Sequence, residues 1–169
     1  FYQIMTELKQ PALWHVDPEA MGHLLGITAQ QYIDSVSGST ASSIVESKVA
    51  NIVGGYRVVG RQLPYDVVCG KKHIEVRCIC KTKNVYFSPS TATGKGRFFC
   101  EEDYQKKLDA CDSYVFADLR DRFQSPVRFF EISVDKVRDL TEKGIIKQGK
   151  VGIKLFFELF PYEQYALKT

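Results

Sequence analysis

Asp66, Glu75 and Arg77 are the residues of this 169-residue chain whose types and spacing could do chemistry. They sit in Pro64-Tyr65-Asp66-Val67-Val68-Cys69-Gly70-Lys71-Lys72-His73-Ile74-Glu75-Val76-Arg77-Cys78-Ile79-Cys80. Two runs rich in Val, Ile and Cys flank Gly70-Lys71-Lys72, which predicts an antiparallel hairpin. Side chains alternate faces along a strand, so Val76, Cys78 and Cys80 are expected on one face and Glu75, Arg77 and Ile79 on the other. Val67 and Cys69 are apolar together, which puts Asp66 on the opposite face with Val68. One face is then a core face, and the other presents two carboxylates and a cation. A pair of carboxylates a few ångströms apart is a hard oxygen site of the kind Mg²⁺ takes, with waters completing its shell. Such an ion polarises a phosphoryl oxygen and acidifies a bound water, and a neighbouring cation stabilises charge developing on phosphorus. The plainer reading of the same residues is a solvated face of a half-exposed sheet, with Glu75 and Arg77 pairing across strands.

Asp66 followed by Glu75-Val76-Arg77 resembles the PD-(D/E)xK nuclease superfamily, the group that includes many restriction endonucleases. The resemblance covers roughly the central half of the chain. It implies a metal site made by Asp66, Glu75 and the Val76 carbonyl, with Mg²⁺ as cofactor and Mn²⁺ as a possible substitute. It also implies an acid from the preceding helix, for which Glu46 is the candidate. Ser43-x-x-Glu46 also satisfies a capping-box pattern, which would make Glu46 structural. Arg77 stands where the family has lysine. A guanidinium stays charged and cannot accept a proton, so Arg77 could stabilise charge but not act as a general base. Lys81 shares its parity but lies about 13 Å further along a strand.

The elements that would position these residues follow along the chain. Asp17-Pro18-Glu19 is a helix start, and Thr28-Ala29-Gln30-Gln31 opens a second helix with a capping box. Leu24-Leu25-Gly26-Ile27-Thr28 between them resembles the turn of DNA-reading helix-turn-helix motifs, although the second helix carries no Arg or Lys. A further helix is expected from about Ala41 to Val53, ended by Gly54-Gly55. Tyr56 to Gln62 reads as a first strand leading into the hairpin, and Ser88 to Arg97 as a loop. Helix at Glu101 to Ala110, a doubly buried strand at Tyr114 to Ala117, a strand at Val127 to Ile132 and a helix from Val134 to Glu142 follow. Val151 to Phe160 is expected to be a terminal strand, closed by Pro161. Lys95 and Arg97 in a Gly-rich loop, and Arg120, Arg122 and Gln124 in a polar loop, are candidate DNA contacts.

The expected fold class is therefore α/β, an α+β arrangement with helices flanking a mixed β-sheet. It divides into an N-terminal helical subdomain (1–38) and a restriction-endonuclease-like catalytic domain (39–169). The element order agrees with the core of the resembled family, which implies a Mg²⁺-dependent endonuclease (a hydrolase) acting on double-stranded DNA. A sequence-specific type II restriction enzyme is the leading expectation, as a homodimer if its target is palindromic. A junction-resolving or repair nuclease of the same fold, or a non-catalytic DNA-binding protein using the N-terminal helix pair, are the alternatives. A net charge of +3 is compatible with nucleic acid without requiring it. Five cysteines without a regular framework point to a reduced, cytoplasmic protein, and no organic cofactor or membrane association is expected.

Overall fold

The computed structural model describes residues 9–60, 63–89, 91–93 and 96–169, with the backbone alone for 91–93, 96 and 97. In chain order the elements are β1 (Leu13–Trp14), α1 (Pro18–Leu25), α2 (Ala29–Ser35), α3 (Gly38–Val53), β2 (Tyr56–Arg57), β3 (Val67–Cys69) and β4 (Lys72–Ile79). Then come β5 (Asn84–Tyr86), β6 (Thr91–Thr93), β7 (Gly96–Phe98), α4 (Glu101–Ala110), β8 (Ser113–Asp118) and β9 (Val127–Ser133). The chain closes with α5 (Val134–Glu142), β10 (Lys150–Gly152), α6 (Ile153–Leu159) and α7 (Tyr162–Tyr165).

Helix ends obey their local signals. Asp17 caps α1 by accepting from the Glu19 and Ala20 N–H groups, with Pro18 at the first helical position. Thr28 and Gln31 make a reciprocal capping box on α2. A Cβ on Gly22 would stand 2.8 Å from the Ile27 carbonyl oxygen, so only glycine lets α1 and the start of α2 approach this closely. In α2, Gln31 is engaged in the cap, and Gln30 Nε2 donates to Asp34 on the exposed surface. The capping-box reading of Glu46 also fails: α3 begins at Gly38, so Ser43 and Glu46 lie inside the helix.

The fold is α+β, built on a six-stranded mixed sheet in the order β1-β9-β8-β4-β3-β2. β4 and β8 run parallel and every other pairing in it is antiparallel. The parallel pair requires a crossover, and α4 supplies it. Both faces are covered. On one, α3 packs Val45 and Val49 against Val67, Ile74, Val76, Val115 and Ala117. On the other, Tyr104 and Leu108 of α4, Val137 of α5 and Phe156 of α6 meet Ile79, Tyr114, Phe116, Phe130 and Ile132. Tyr114 to Ala117 are fully buried, which is the continuous apolar run a central strand needs.

Several expectations are corrected. The face of β4 carrying Glu75 and Arg77 is not solvated, because α4 covers it and Ile79 beside them belongs to a core. Cys80 lies beyond β4 and is exposed, so it does not enter the core with Cys78. The expected terminal strand is only β10, after which the chain turns into α6. Ile153, Phe156, Phe157 and Phe160 recur at helical spacing and pack together into the second core, and that packing overrides the strand preference of aromatic residues. The first strand is likewise cut to Tyr56–Arg57, and Arg61 and Gln62 lie outside the described residues. β6 and β7 pair as a hairpin inside the expected loop.

Candidate active site

The β3–β4 register places Val67 opposite Ile74 and Val68 opposite His73, so Asp66 falls opposite Glu75 just where the ladder ends. There the Asp66 N–H donates to the Ile74 carbonyl at 3.0 Å, and its Oδ2 accepts the Val76 N–H at 2.8 Å. A carboxylate that takes a strand N–H lies in the plane of the sheet, because that is where strand N–H groups point. The Asp66 carboxylate therefore turns from the face of Glu75 into the plane of the sheet, at its opening. The two carboxylates still couple, and the Asp66 charge helps to raise the Glu75 pKa.

Glu75 is the most constrained group of the site, with 7 % of its side chain exposed. Burial pushes its carboxyl up to about 7, against the pull of Arg77 and Lys107. Lys107 of α4 sets its ammonium 2.7 Å from Glu75 Oε2 and also donates to the Pro64 carbonyl at 2.6 Å. Arg77 Nε stands 3.2 Å from Glu75 Oε1 as an ion pair, but that N–H is buried and makes no hydrogen bond. The far end of the guanidinium donates to the Ser88 carbonyl at 2.9 Å. Sequence reasoning missed Lys107. Its signal was its place among Tyr104, Leu108 and Cys111, a buried stripe at helical spacing that a charged residue joins only with a partner waiting.

Glu46 approaches from the α3 side. Its Oε2 is 2.7 Å from Arg57 Nε, and Arg57 Nη2 also donates to Ser43 Oγ at 3.1 Å. Desolvation raises the Glu46 pKa, partly offset by the Arg57 hydrogen bond and reinforced by Asp66. Asp66 therefore acts electrostatically on both other acids. Among the described residues no group of three or more His, Cys, Asp or Glu side chains gathers as a metal cluster. The hard-ion requirement is smaller, one or two carboxylates plus waters, and Asp66 and Glu75 meet it in ligand type.

These residues line a cleft of about 1590 Å³, with Glu46, Asp66, Glu75, Val76, Arg77 and Lys107 in its wall. Lys81, Arg120, Arg122, Gln124, Gln148 and Lys150 line it as well. Arg120 is already committed: it pairs with Asp118 through two donors and lies 4.0 Å over the Phe157 ring. Arg122 makes only an exposed contact of 3.4 Å with Asp34, and Gln124 is exposed. Lys95 lies outside the described residues, and Arg97 is placed only as backbone in β7. No helix among the described residues is long and apolar enough to cross a membrane. Comparison with known proteins finds no matching family model, no matching curated protein and no matching solved structure.

Proposed function

We propose that the chain is a divalent-metal-dependent endonuclease of double-stranded DNA, of the restriction type. The observation that carries this reading is the meeting of Asp66 and a buried Glu75 in one cleft wall with two cations, Arg77 and Lys107, on the second carboxylate. A buried acid with so unfavourable a setting is a stability cost that a purely structural ion pair does not require. Asp66 and Glu75 would hold Mg²⁺ or Mn²⁺, with the Val76 carbonyl as a further ligand by resemblance. The bound ion would polarise a phosphoryl oxygen and lower the pKa of its water.

The protein groups have separable roles. Arg77, paired with Glu75 and held by the Ser88 carbonyl, lines the cleft, where its fixed positive charge would suit a phosphoryl oxygen on which charge develops. Lys107 spends two of its three N–H groups on Glu75 and Pro64, and the third is free to orient an attacking water. It takes the electrostatic place that Arg77, fixed as a cation, shares only in part. Glu46 bears on the site through Asp66 and Arg57. A palindromic target would call for a two-fold dimer.

Incubation with supercoiled plasmid and Mg²⁺ tests this. The protein is expected to give discrete fragments, and Glu75→Ala to lower the rate by about a thousandfold, several kcal/mol of lost charge stabilisation. Cutting restricted to branched substrates would indicate a junction-resolving enzyme. A variant that cuts as well as the parent would remove Glu75 from the mechanism.

A further inference from the structure

We propose that Gln148 is a base-reading side chain, presented to the major groove of the duplex by the tip of the turn between Ile146 and β10. The proposal rests on the nuclease reading above and assigns part of its specificity. Lys147 and Lys150 bond each other through both N–H groups at 3.2 Å, enclosing a two-residue turn. Gln148 has φ 51 and Gly149 φ 64, so both central residues are left-handed. Turns of this kind favour Asn, Asp or Gly at the first position, because a longer side chain gains no local hydrogen bond to offset its Cβ strain. Glutamine is thus a costly choice there, and the fold returns nothing for it. Gln148 is exposed, and its side chain makes no hydrogen bond with the described residues. It does line the cleft that holds Asp66 and Glu75.

The turn is also fixed relative to the chemistry. The Gly149 carbonyl accepts from the Phe87 N–H at 2.7 Å and the Ser88 N–H at 3.1 Å. A Cβ at position 149 would fall 2.4 Å from the Ser88 Cβ and 3.1 Å from its backbone nitrogen, so the turn lies tight against Ser88. The Ser88 carbonyl in turn holds Arg77. Gln148 therefore rides on the segment that positions the guanidinium, which is the preorganisation that reading a base beside a scissile phosphate requires. A carboxamide offers an acceptor and two donors, the complement of the adenine N7 and N6 edge. Lys150 and Lys81 line the same cleft and suit flanking phosphates. Arg122 and Phe123, at φ 53 and 69, form a second left-handed non-glycine site in its lining.

The test is Gln148→Gly, which relieves the strain and so preserves the fold. Wild type and variant are each used to select bound molecules from a pool of sequence-randomised duplex DNA. The wild type is expected to enrich a motif with an A·T pair that the variant no longer selects. Affinity of the variant for the wild-type motif should fall about tenfold, with affinity for unselected duplex unchanged. A variant that enriches the same motif with the same affinity overturns the assignment of Gln148 and leaves the nuclease reading standing. A wild type that binds every duplex equally does the same. A wild type that neither binds nor cuts duplex DNA overturns both.

Discussion

At the scale of single residues the site is governed by the burial of one acid. Glu75 is held near pKa 7, well above the ordinary glutamate value of 4.5. Between those values the folded state binds more protons than the unfolded chain, so stability without metal must fall as pH rises from about 4.5 to about 7. The whole penalty is present above pH 7, and it amounts to about 3 kcal/mol. Glu75→Gln mimics the protonated acid. It should stabilise the metal-free protein at pH 8, with the gap closing by about pH 5, as read by denaturant unfolding across pH. A gap of constant size would show that Glu75 is ionised in the fold as easily as in water. The types and spacing of Asp66, Glu75 and Arg77 were legible in the sequence. The in-plane turn of Asp66 was not, because it depends on the Val76 N–H left over where β3 ends.

At the scale of elements, parity along β4 and the crossover through α4 decide what meets Glu75. The hairpin was readable because period-two alternation and Gly70 agree on it. Lys107 was legible only as a charge inside the Tyr104, Leu108 and Cys111 stripe, and its partner was not, since what α4 meets on the sheet is a packing outcome. The same applies to α6, whose aromatic run carries helical spacing but strand-favouring residues. Because Lys107 bridges the Pro64 carbonyl and Glu75, it ties α4 to the start of the hairpin. Lys107→Ala should cost about 1–3 kcal/mol at pH 8, less than a rigidly charged buried pair, because Glu75 can take up a proton. Thermal unfolding measures this. A loss that persists unchanged in the Glu75→Gln background would place the effect in helix packing and not in the ion pair.

At the scale of the whole molecule, the two-faced sheet opens into a large cleft where β3 ends, α3 and α4 lie on opposite faces, and residues Leu119 to Gln124, Gln148 and Lys150 contribute to the lining. Acids from the centre of the chain and polar residues from its last third reach the same cleft, as far apart in sequence as Asp66 and Lys150, so its assembly was visible only in three dimensions. The principal helices and strands from α3 to α5 were readable along the chain; α6 and the cleft were not. The central claim is that Asp66 and Glu75 share one divalent ion, and electron paramagnetic resonance of Mn²⁺ added to the protein–duplex complex tests it most directly. A bound Mn²⁺ signal is predicted for the wild type and its loss in both Asp66→Asn and Glu75→Gln. Retention of the wild-type signal in both variants would contradict the account.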